Sequence, residues 1–162
     1  MKKRKRLMTI GYERATVDQL LGALADARVE LLVDVRAVAN SRRPGFSKKA
    51  LAAHLAGSGI DYLHLRALGT PADGRAAARS GRSAEMRRIF AEHMLTAEAA
   101  DALTALSDIV SDGRRVCLLC FEADPADCHR TLVADAVAAR VTIDVEHLRA
   151  APDTIMDDDD VD

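Results

Sequence analysis

Short, nearly unbroken apolar runs occur at Leu7–Gly11, Leu31–Arg36, Ile60–Leu65, Val116–Phe121 and Thr142–Val145, the last extending toward Leu148. Runs of this length, bounded by glycine and polar residues, predict strands. The LLVDV core of the second suits a parallel strand covered on both faces. Between the runs the apolar residues recur at helical spacing, as Val17, Leu20, Leu21 and Leu24, then Met86, Ile89, Phe90 and His93, then Ala99, Leu103, Leu106 and Val110, and finally Leu132, Val133, Ala136 and Val137. Thr16 with Gln19 predicts a capping box ahead of the first helix. Ser47 predicts the cap of a helix running to about Ala56 and ended by Gly57 and Gly59, and Asp127 or a neighbour starts the last helix. Strands joined by helical crossovers predict an α/β fold, with a mainly parallel five-stranded sheet and helices on both faces. Leu31–Arg36 and Val116–Phe121 are its expected central strands. Ala67 to Gly81 has no apolar period and holds Gly69, Pro71, Gly74 and Gly81, so it predicts a long mobile loop that closes over a site and brings in Arg75 and Arg79.

Composition narrows the class. The 162 residues are 49% hydrophobic and 30% charged, which suits one domain and excludes wholesale disorder. No run approaches the roughly 18 apolar residues of a membrane span, and the apolar stretch after MKKRKR is too brief for a signal peptide. A soluble cytoplasmic protein without a membrane partner is expected. The net charge of -2 conceals a polarised layout. Residues 36–88 carry 11 Lys/Arg against 3 Asp/Glu, while residues 89–156 carry 5 against 12. The expected organisation is a basic flexible head at 1–6, one domain at 7–149 and an acidic flexible tail at 150–162. Cys117, Cys120 and Cys128 are an odd number in one short stretch, which fits reduced thiols better than a disulfide framework.

Parallel strands joined by helices end at one sheet edge, where ligands bind in open α/β sheets. Tyr12 and Glu13 follow the first strand, Arg36 and Arg42 the second, and His64 and Arg66 surround the third. The fourth leads into Glu122, Cys128, His129 and Arg130. The planar fork of arginine matches the paired oxygens of phosphate or carboxylate, so Arg36, Arg42, Arg66 and Arg130, with Tyr12 and His64, are candidate anion ligands. Cys128 lies in the first turn of a helix, where the dipole favours an anion or a thiolate. That makes it a candidate nucleophile, with His129, Glu122 and Glu13 for proton transfer. Plainer readings stand beside these: His129 lies near the apolar face of Leu132 and Val133, cysteine is commonly buried, and Asp34 with Arg36 makes a local ion pair at a strand end. Cys117-x-x-Cys120 has metal-ligand spacing, but residues three apart on a strand face opposite sides, so no metal site is expected. Cys120 to Arg130 is too long for a cysteine-phosphatase loop, and no P-loop or dinucleotide fingerprint marks a cofactor.

Five blocks together resemble a known family: Thr9-Ile10-Gly11-Tyr12, Leu32-Val33-Asp34-Val35-Arg36, Ser41-Arg42-Arg43-Pro44-Gly45-Phe46, Tyr62 through Leu65 with Leu68-Gly69, and Leu119-Cys120-Phe121-Glu122 through Pro125 to Cys128-His129-Arg130. On these the chain is similar to the domain-of-unknown-function family 488 of prokaryotes. The resemblance implies a compact α/β domain whose arginine-bearing strand exit and Cys-His-Arg turn share one site, and it implies no reaction. The chain departs from the family pattern at Glu13, where a small hydroxyl or glycine is expected, and at Thr70, where a second glycine is common. Three classes stay open. One is a protein binding or acting on a small phosphorylated or nucleotide-like anion. Another is a nucleic-acid module using the basic segment, although 3% aromatics without tryptophan argue against a stacking platform. The third is a non-catalytic structural or regulatory protein. Neither catalysis nor oligomeric state is legible at this level.

Overall fold

A computed structural model of the chain describes residues 5–151. Five strands, β1 (Lys5–Gly11), β2 (Leu31–Asp34), β3 (Asp61–His64), β4 (Val116–Cys120) and β5 (Ile143–His147), form one all-parallel sheet in the order β3-β2-β4-β1-β5. The helices are α1 (Val17–Asp26), α2 (Lys48–Gly57), α3 (Ala72–Arg79), α4 (Ser83–His93), α5 (Ala97–Ser111) and α6 (His129–Ala138). Short 3-10 turns span Arg66–Leu68 and Pro125–Asp127.

The layering follows from handedness. From β1 through β2 to β3 the chain moves toward one edge, and then it returns to β4 and β5 in the opposite direction. Right-handed crossovers put helices on one face for the first direction and on the other for the return. Leu20 and Leu24 of α1 and Leu51 and Leu55 of α2 accordingly pack with Met8, Ile10, Leu32, Cys117 and Leu119. Met86 and Phe90 of α4, Leu103 and Leu106 of α5 and Val133 and Val137 of α6 pack with Leu7, Val33, Val116, Leu118 and Cys120. The alternation of side chains along β4 divides its residues between the two cores, which explains why this central strand is apolar throughout.

The capping box forms as the sequence predicts, with the Gln19 amide N–H donating to Thr16 Oγ1 and the Thr16 amide N–H to Gln19 Oε1. Ser47 occupies the N-cap of α2, but its hydroxyl bonds Ser41 and Asn40 instead of capping the helix. Two expectations are corrected. The first strand begins at Lys5 and not at Leu7, with Lys5 and Arg6 opposite Ile143 and Asp144 of β5. Residues 1–4 and 152–162, which hold the rest of the basic head and nearly all of the acidic tail, lie outside the described residues. The stretch from Ala67 to Gly81 is not a loop: it holds a 3-10 turn and then α3, packed through the fully buried Ala77. Its glycines mark close approach, since a Cβ on Gly69 would meet the Ala37 backbone nitrogen at 2.2 Å and one on Gly74 the Thr70 Cγ2 at 2.4 Å. Among the described residues no helix is long and apolar enough to cross a membrane.

Candidate functional site

β2 and β1 send their connections to one face of the sheet, and β4, which lies between them, sends its connection to the other. Diverging connections open a crevice at the carboxyl ends, the usual ligand position in open α/β sheets. A cleft of about 340 Å³ lies there, lined by Cys120, Phe121, Glu122 and His129 and by Arg75 and Arg79 of α3. Tyr12 and Arg36 also line it. Two of its lining residues are exposed apolar side chains, Val38 at 55% and Phe121 at 41% exposure.

Cysteine and histidine chemistry gathers where β4 ends and α6 begins. Cys120 is the last residue of β4 and Cys128 the N-cap of α6, and the turn between them folds back so that the two sulfurs meet as a disulfide. The expectation of three reduced thiols is thereby corrected for this pair. Their Cα atoms are 7.3 Å apart. Cys117 remains free on the opposite face of the sheet, where burial pushes its thiol pKa well above the usual range. His129 Nε2 lies 2.7 Å from the Val35 carbonyl. A carbonyl only accepts, so Nε2 carries the proton and Nδ1 presents its lone pair to Cys128 Sγ at 3.8 Å. Burial pushes His129 down to about 4, so the ring is neutral near pH 7. Glu122 Oε1 lies 3.8 Å from Cys120 Sγ, and Arg130 Nη1 donates to the same sulfur at 3.4 Å.

The structure gives Arg36 and Arg130 roles inside the fold. Arg36 donates through Nε to Asp34 Oδ1 at 2.9 Å and through Nη2 to Oδ2 at 2.7 Å, while Nη1 serves the Phe46 carbonyl and the Tyr12 hydroxyl. Burial alone would lower its pKa, but the hydrogen-bonded Asp34 carboxylate reverses this and raises it. Asp34, fully buried, also accepts from the Tyr62 hydroxyl at 2.6 Å. Arg130, fully buried as well, donates to Thr9 Oγ1, to the carbonyls of Glu122 and Ala123 and to the Cys120 sulfur. Burial lowers its pKa. Both guanidinium groups therefore hold strand exits in place.

The other candidates divide. Tyr12, Glu122 and His129 reach the cleft, and Cys128 lies behind it against His129. Glu13 sits outside the cleft lining and accepts from the Ala123 amide at 3.0 Å, pinning the loop after β4. His64 likewise holds the Arg36 carbonyl through Nε2 at 2.7 Å. Arg42 and Arg66 are exposed, and neither lines the cleft. Arg43 anchors the carbonyls of Tyr12 and Ala15 and lies over the Phe46 ring. Phe121 and Val38 have no place among the residues expected from sequence. Phe121 closes an apolar run and reads as core, and only the end of β4 one residue earlier turns it outward.

A family model described as Domain of unknown function DUF488 matches residues 16–137. No curated protein and no solved structure matches the chain.

Proposed function

Because the chain belongs to the DUF488 family, we propose its function from the cleft itself: the protein binds or acts on a small phosphorylated or nucleotide-like anion at the carboxyl ends of β1, β4 and β2. The observation that carries this reading is the meeting of two chemistries in one cleft. Arg79, exposed and without an ion pair among the described residues, lines it with Arg75 of α3, as do Cys120 and His129.

Each group of lining residues suits a different part of such a ligand. Arg79 offers a guanidinium fork to paired phosphate oxygens, and Arg75, tied through Nη1 to the Thr70 carbonyl, offers its remaining donors. The exposed faces of Phe121 and Val38 suit a base or another flat apolar group. A volume near 340 Å³ falls within the range of small-molecule sites and favours a single nucleotide-sized ligand over a polymer. On the chemical side, His129 presents Nδ1 to Cys128 at 3.8 Å, and in the reduced protein this nitrogen accepts a hydrogen bond from the thiol. The N-terminal end of α6 favours the thiolate form of Cys128.

The test is titration calorimetry of the reduced chain with inorganic pyrophosphate and with AMP. Saturable binding is expected, weakened roughly tenfold or more in Arg79→Gln, since a charge-assisted hydrogen bond contributes about 1.5–3 kcal/mol. The thermal midpoint of that variant should not move. Unchanged affinity in folded Arg79→Gln, or absence of binding by either probe, contradicts the proposal.

A further inference from the structure

Cys117 cannot join Cys120 on one ion, because the two face opposite sides of β4. Without Cys117, three donors still converge. The sulfurs of Cys120 and Cys128 and a ring nitrogen of His129 all lie within 4.8 Å of one another, and all three residues are buried. We infer that these residues form a binding site for a zinc-class divalent ion, with its fourth coordination position open to the cleft.

Three features support this. The first is the histidine tautomer. The Val35 carbonyl fixes the proton on Nε2 and leaves Nδ1 as a lone-pair donor aimed at the sulfurs. Metal-bound imidazoles are characteristically held this way, by a carbonyl or carboxylate on the distal nitrogen. The second is the backbone span. The fold holds the Cα atoms 7.3 Å apart with both sulfurs already within reach of one ion, so reduction of the pair leaves two thiolates side by side. The third is charge. Two thiolates neutralise a divalent ion, and Arg130 Nη1, already on the Cys120 sulfur at 3.4 Å, orients that ligand from behind.

Two soft sulfurs and one imidazole suit zinc in preference to magnesium or calcium. Three protein donors, with the cleft beside them, match a site that keeps one position for water or ligand. Binding to the reduced chain releases the two thiol protons. Oxidation of the pair to the disulfide removes both thiolate ligands, so the oxidised chain takes up no ion. The inference rests on the cleft reading only for what the open position faces. Metal uptake is read with no anion present and anion binding through Arg79, so the two proposals fail separately.

The experiment is a titration of the phosphine-reduced full chain with Co²⁺, followed by displacement with Zn²⁺. About one ion per chain is expected, with sulfur-to-cobalt charge-transfer absorption and the strong visible bands of a tetrahedral site, both lost on adding zinc. Cys128→Ser and Cys120→Ser should lose the charge-transfer signal at equimolar cobalt, and Cys117→Ser should keep it. Charge-transfer absorption absent from the reduced wild type overturns the inference, as does its retention in folded Cys128→Ser. The disulfide form of the wild type gives a second check that needs no variant: failure to bind is expected, and stoichiometric binding overturns the site.

Discussion

Asp34→Ala tests how Arg36 is held. The carboxylate is fully buried and accepts from the Arg36 backbone N–H, from Nε and Nη2 of the same residue, and from the Tyr62 hydroxyl. Arg36 is itself only 6% exposed, and its raised pKa keeps it charged at any pH of interest. Alanine therefore leaves a buried guanidinium without its counter-charge, a change that typically costs about 3–5 kcal/mol. That is a large fraction of the roughly 5–15 kcal/mol that holds a domain together. At about 2–4 °C per kcal/mol for a chain of this size, the melting temperature should fall by roughly 6–20 °C. Urea unfolding at constant pH is the assay, with the midpoint shifting and the slope unchanged. The double variant Asp34→Ala with Arg36→Met should recover part of the loss, because the orphaned charge goes as well. It should not recover all of it, since the Phe46 carbonyl and the Tyr12 hydroxyl lose their donor. A loss under about 1 kcal/mol in Asp34→Ala would refute the reasoning and leave Arg36 free for a ligand.

Other outcomes follow from the same contacts. Arg130→Met removes the donor from the carbonyls of Glu122 and Ala123, and unfolding in urea should show a loss of about 2–5 kcal/mol. Arg79→Gln, on the exposed face of α3, should stay within about 0.5 kcal/mol of wild type in the same assay. Gly69→Ala forces a methyl group against the Ala37 backbone and should cost about 1–3 kcal/mol by calorimetry, with weaker AMP binding because the shifted segment lines the cleft.

The strands were legible because parallel strands buried on both faces leave continuous apolar runs, and β2 and β4 are the clearest of these. The edge that carries the cleft followed from strand and helix alternation alone. The α3 segment was not legible, since Gly69 and Gly74 read as breakers until the close approach of Ala37 and Thr70 is seen. The ion pair of Asp34 with Arg36 was one of the readings that the strand end offered, but the main-chain contacts of Arg36 and Arg130 could not be read. Their acceptors include main-chain carbonyls of Phe46, Glu122 and Ala123, which have no signature in a sequence. An arginine that serves a carbonyl and one that serves a phosphate look the same as letters. Cys120 and Cys128 stand eight residues apart, and what brings them together is the fold-back through Pro125–Asp127 into α6. The facing of Cys120 was available in principle, because period-two alternation along β4 puts it with Leu118 and away from Cys117.

The central claim is that the cleft between β4 and α3 holds a small phosphorylated ligand, and a crystal structure of the reduced chain grown with AMP tests it most directly. The account predicts the phosphate against Arg79 and Arg75, the base on the outward faces of Phe121 and Val38, and Arg36 and Arg130 still bonded to Asp34 and to the Glu122 and Ala123 carbonyls. AMP seated instead on Arg42 or Arg66, or a phosphate that draws Arg36 away from Asp34, would contradict it.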